Sequence, residues 1–248
     1  MRVYDLKFCS LLFCLSFLLL AAGCQKKPES DSSSPFRIEI VERVPDSEFP
    51  AIEIASPMKN EIVSNDFSVY FASAGIELSS EGEHLHFMLD DGDIIEHFEG
   101  NSPLNFKNIP DGQHLIRVFA VKKDHTSYKS LKSTDMVTFY VNEKTGKLPT
   151  EKSKPMLFLN LPTGRSEGIS AENVLLDFWV SNAKLGIYDY KVGYSLDGHE
   201  GTLSLWETYV ISGLSEGKHK LIFDLIDPNG KPVLGNFNHT VRTFIITK

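Results

Sequence analysis

The chain has 248 residues, with 25 Lys and Arg against 33 Asp and Glu and a formal net charge of −8. An acidic chain without a basic cluster is a poor phosphate binder, which argues against a nucleic-acid partner. Its three cysteines, Cys9, Cys14 and Cys24, all lie near the start, so the remainder offers no disulfide, no cysteine-based metal site and no thiol nucleophile.

Arg2 and Lys7 precede an uncharged apolar run from Phe8 to Leu20, which ends in the small residues of "LLLAAGC". The run is shorter than the ~20 residues needed to span a bilayer and reads as a secretory signal over residues 1–23. The closing "AAGC" resembles the lipobox of bacterial lipoproteins, although Ala21 stands where that family most often has Leu. The resemblance implies cleavage before Cys24, lipid on its sulfur and attachment of the chain to a membrane. Gln25, rather than Asp, follows the cysteine; by resemblance to the sorting rule of enteric bacteria this implies the outer membrane. Export without disulfides leaves core packing to hold the fold together.

Residues 24–49 open with "QKKPESDSSSP", which has nothing apolar to bury and reads as a flexible tether. Within that stretch "FRIEIVERV", residues 36–44, is ambiguous between an added strand of the next domain and a continuation of the stalk. Helical periodicity is nearly absent throughout; what recurs is short alternating runs broken by Gly, Pro, Asn and Asp, the pattern of strands and turns. Domains are predicted at 50–141 and 155–248, joined by the polar linker 142–154.

In the first domain, alternation sends Leu85, Phe87 and Leu89 inward and His84, His86 and Met88 outward together. Two imidazoles on one strand face can chelate an ion, and imidazole with thioether suits copper. His97 completes a candidate copper or zinc site, with Asp93 and Glu96 as further donors in the same loop. The bland alternative is a solvated strand face. The acidic turn Asp90-Asp91-Gly92 lacks the spaced oxygen ligands of a calcium loop and reads as a turn. In the second domain Trp179 falls on the outward face of its strand and Trp206 lies in a loop. Such aromatics can stack on sugars or anchor a partner, or else pack between domains.

The two domains echo one another. "DGQHLIRV" at 111–118 returns as "EGKHKLIF" at 216–223, and inward-facing residues elsewhere match at shifts of 105 to 107 residues, as a duplication predicts. His114 and His219 recur at the same point, where an acidic-Gly turn enters a strand, and read as structural residues at the rim of each core. The strand pattern, with "F-x-L-D-x-G" and the repeated Gly-x-His strand, resembles bacterial immunoglobulin-like and fibronectin-type-III-like modules. That resemblance implies an all-β fold of two tandem antiparallel sandwiches. No nucleophile elbow, zinc-protease motif or phosphate loop occurs, so no catalytic role is expected. The function expected is that of a lipid-anchored envelope protein binding or scaffolding a protein or glycan. The alternatives are a metal-binding protein using the outward histidines and a carbohydrate-recognising accessory protein.

Overall fold

The computed structural model describes residues 35–43, 46–146, 153–164 and 173–247. The expected signal peptide and Cys24 lie outside the described residues. Among those described, the alternating runs become sixteen strands and one short 3-10 turn, Leu131–Ser133; no helix is long and apolar enough to cross a membrane.

Eight strands build the first sandwich. β2 (Ala51–Ser56), β4 (Phe67–Ala74) and β7 (Leu104–Phe106) form one sheet in the order β2-β4-β7. The facing sheet contains β3 (Ile62–Val63), β9 (Thr134–Val141), β8 (Gly112–Val121), β5 (His84–Leu89) and β6 (Ile95–His97), in the order β3-β9-β8-β5-β6. Among the described strands, only β3 runs parallel to its neighbour. Leu85, Phe87, Ile116, Val118 and Phe139 fill the space between the sheets and are inaccessible to solvent.

The second sandwich repeats this plan. β10 (Met156–Leu161), β11 (Val174–Ser181) and β14 (Tyr209–Ser212) correspond to β2, β4 and β7. β12 (Lys191–Leu196), β13 (His199–Leu203), β15 (Gly217–Ile226) and β16 (His239–Ile246) correspond to β5, β6, β8 and β9, with neighbours in the same order. First, second and fifth strands on one sheet and fourth, third, sixth and seventh on the other make an immunoglobulin-like arrangement. Even the irregularities recur: a register shift at Ile54/Ser56 returns at Leu159/Leu161, and cis prolines follow at Pro57 and Pro162.

β1 (Arg37–Ile40) corrects the expectation for the tether. It pairs antiparallel with the outer edge of β14, in the second sandwich, so it belongs neither to the first domain nor to a stalk. The free edge of β14 supplies backbone partners, Ile38 packs on the second core, and Phe36 stacks on His199 with ring centroids 4.2 Å apart. Further along, Arg43 binds Asp124 and Thr126, and Lys122 pairs with Asp46 at 2.7 Å, so the same segment also ties to the first sandwich.

The two sandwiches press against one another. Leu115 and Met136 from the first meet Met156, Phe158, Trp179 and Phe237 from the second in a third buried cluster. The Arg117 guanidinium lies over the rings of Phe158 and Phe237, 3.9 and 4.6 Å from their centroids. This contact explains why β5 and β8 are buried on both faces although their sequences alternate.

Candidate metal centre

The face of β5 that carries His84, His86 and Met88 is covered by the second sandwich and does not meet water. His84 is 1% exposed, His86 is fully buried, and Met88 is 5% exposed. Strand pairing then decides which neighbours share that face. β6 pairs with β5 so that His86 stands opposite Glu96 and Leu85 opposite His97. Directly opposed residues point to the same side of a sheet, so Glu96 joins the histidine face while His97 is sent into the core.

His97 is therefore removed from the expected ligand set. Its Nε2–H donates to the Glu99 carbonyl at 2.7 Å, and its ring sits edge-on to Phe71 and Phe87. Met88 also leaves the set: its side chain lines a small cavity beside Arg117 and Phe158. A further candidate donor is His125, in the tight turn after β8. Since His84 pairs with Val121, that turn folds back over the start of β5. A hydrogen bond from His125 N–H to the Lys122 carbonyl at 2.8 Å and a left-handed His125 backbone, φ 63°, close it.

His84, His86, His125 and Glu96 each contribute one donor atom to a group that lies within 4.8 Å of one another. His84 Nε2 is 3.2 Å from His86 Nε2 and 3.0 Å from His125 Nδ1; His125 Nδ1 is 3.4 Å from His86 Nε2 and 3.5 Å from Glu96 Oε1. Donor atoms around a tetrahedral zinc ion with bonds of about 2.0–2.1 Å stand about 3.3–3.4 Å apart. These four edges bracket that value, while Glu96 stands farther from His84 and His86, within 4.8 Å.

Proton positions sharpen the point. His84 Nδ1 lies 3.0 Å from the Gly82 carbonyl, which can only accept, so Nδ1 carries the hydrogen and Nε2 is a bare lone pair. His86 Nδ1 lies 2.9 Å from Asn160 Oδ1. Asn160 Nδ2 donates to the His125 carbonyl at 2.8 Å and to Asp177 Oδ2 at 2.7 Å, which fixes the amide orientation and leaves His86 Nε2 bare as well. Two acceptor lone pairs thus face each other in a buried site. Burial pushes the His84 imidazole below its ordinary pKa and the His86 imidazole down to about 3. Both rings are neutral at physiological pH, the state that ligates metal. The side chains of His125 and Glu96 are 41% and 42% exposed, which leaves an entry path from solvent.

The repeated histidines do different work. His114 Nδ1 donates to Asp90 Oδ2 at 2.7 Å and its Nε2 faces the Pro110 carbonyl at 2.9 Å; Asp90 Oδ1 accepts from the Leu115 amide at 2.8 Å. His219 repeats the pattern with Asp197 at 2.6 Å and the Ser215 carbonyl at 2.9 Å. Each pins an acidic turn to its strand, and neither approaches the cluster at His84. The aromatic surface considered for sugar stacking is also displaced. Trp179, 4% exposed, stacks on Phe158 within the contact between the sandwiches. Trp206 packs edge-on to Trp179 and donates Nε1–H to the Phe178 carbonyl at 3.0 Å. Outward parity on β11 means facing the other sandwich, not solvent.

A scan against protein-family profiles returns no match, and no curated protein matches the chain. Among solved structures, the fibronectin(III)-like modules of Clostridium thermocellum CbhA are 15% identical, over 79% of this chain and 94% of that one, with a TM-score of 0.29. The central fibronectin-III array of RIM-binding protein is 14% identical over 83% of this chain and 72% of that one, TM-score 0.29. Bovine butyrophilin is 11% identical over 80% and 99%, TM-score 0.26. At such scores these likenesses add nothing to the strand order already described.

Proposed function

We propose that this is a non-catalytic, lipid-anchored protein of the bacterial cell envelope that binds a divalent transition metal. The ligands are His84, His86, His125 and Glu96, and zinc is the metal their chemistry favours. The observation that carries the reading is the pair of buried, bare Nε2 lone pairs of His84 and His86. Each ring is fixed in its tautomer by an acceptor at Nδ1, and both point at the donor atoms of His125 and Glu96. Ligating histidines typically donate their second ring N–H to a carbonyl or carboxylate in this way. Three imidazoles and a carboxylate, without thiolate or thioether, suit zinc better than cuprous copper.

Calorimetric titration of the metal-free full chain with zinc tests it. One ion per chain is expected, with affinity falling in His86→Ala by more than the ~10–100-fold typical of outer-shell partners. His97→Ala and Met88→Leu should bind like the wild type. Undiminished binding by His86→Ala, or loss of binding in Met88→Leu alone, would refute the assignment.

A further inference from the structure

Every candidate ligand belongs to the first sandwich, yet the side chain that orients two of them belongs to the second. Asn160 is 1% exposed and lies where β10 departs from register: Leu159 pairs with Phe178 and Leu161 with Asp177, so Asn160 is the extra residue. A bulge of this kind re-aims a side chain. The first sandwich has the same irregularity, with Ala55 in the corresponding place. The duplicated backbone defect is shared, and only the second copy equips it with an amide.

That amide makes three bonds, two of them fully buried. Oδ1 accepts from His86 Nδ1, while Nδ2 donates to the carbonyl of His125 and to Asp177 Oδ2. Asp177 then carries the network back to the first sandwich. It accepts from the Ser127 amide at 3.0 Å and from Lys129 Nζ at 2.6 Å, and also from Thr208 Oγ1 at 2.8 Å within its own sandwich. Burial alone would raise the Asp177 carboxyl; Lys129 and the bonds from Asn160 and Ser127 outweigh it and hold it below the usual carboxylate range. Removing either charge would leave the other buried and unpaired, so the network has one satisfied arrangement, with both sandwiches docked.

We infer that a metal ion bound at His84, His86, His125 and Glu96 clasps the two sandwiches together, with Asn160 as the positioning residue that couples ligand geometry to their docking. This rests on the zinc reading above and extends it. Binding that requires His86 in one tautomer and His125 at one height favours the docked state, in which Asn160 enforces both. By reciprocity, docking strengthens metal binding.

Hydrogen exchange of the full chain, followed by mass spectrometry with and without saturating zinc, tests the clasp. Zinc should slow exchange in β5, β6 and the 122–126 turn, and also in β10 and β11, which contribute no ligand. In Asn160→Ala, zinc affinity should fall about 10–100-fold, and protection at saturating zinc should be confined to the first sandwich. Tight binding that protects the first sandwich alone in the wild type would overturn the clasp while leaving the site standing. So would wild-type affinity in Asn160→Ala. Absence of zinc binding by the wild type would overturn the site itself and the clasp with it. The wild-type comparison needs no variant, so the inference stays falsifiable even if Asn160→Ala fails to fold.

Discussion

At the scale of single residues, the same side chain serves two ends according to what faces its nitrogens. His84 and His86 each have one nitrogen against a carbonyl oxygen and one against another imidazole, and burial keeps them neutral. His114 instead faces acceptors at both nitrogens, an arrangement fully satisfied only by the protonated ring. The hydrogen bond to Asp90 is the main cause that raises its pKa above 6.5, against an opposing effect of partial burial. A histidine whose folded-state pKa is raised contributes stability that is fully present below the unfolded value and is lost as pH rises through the folded value. The difference in unfolding free energy between wild type and His114→Ala should therefore shrink as urea melts are moved from about pH 5.5 to about pH 8.5. A difference that grows with pH would contradict this account of the turn.

At the scale of elements, register decides what the alternating pattern leaves open. The sequence correctly puts His84, His86 and Met88 on one face of β5, because period two follows from strand geometry alone. It cannot tell that this face is dry, since a polar-looking strand face and a buried interface face have the same spacing. Nor can it tell Glu96 from His97 as the neighbour of His86: the choice depends on a one-residue register between β5 and β6, and a slip of one exchanges their faces. His125 was invisible for a related reason. Its turn reaches His84 only through the pairing of β5 with β8, strands separated by more than twenty residues. The echo of His114 in His219, by contrast, was legible because a duplication is a comparison of the chain with itself. β1 shows the limit of composition: two alternating isoleucines in a charged stretch suffice for a strand once an open edge is available. Ile38→Ala, which strips a half-buried side chain from the second core, should cost about 1–2 kcal/mol in urea unfolding. A cost near zero would mean that β1 is not held by that packing.

At the scale of the whole molecule, the duplication supplied two equivalent sandwiches and the contact between them broke the equivalence. Hydrophobic positions inside each copy correspond, whereas the residues that differ between copies include those on the facing surfaces. His84 and His86 stand against Lys191 and Gly193 in the second copy, and Asn160 against Ala55 in the first. Function on a common fold resides in such local differences. In the site proposed above, His125 and Glu96 form the exposed edge, open to an ion, and His84, His86 and Asn160 form the buried edge, tied to the docked arrangement. Its central claim, an ion held by three imidazoles and one carboxylate, is tested most directly by X-ray absorption at the zinc edge of the zinc-loaded chain. The expected first shell has four nitrogen or oxygen neighbours at about 2.0–2.1 Å, with outer scattering from three imidazole rings. A sulfur shell near about 2.3 Å, or a shell of water oxygens without imidazole scattering, would contradict it.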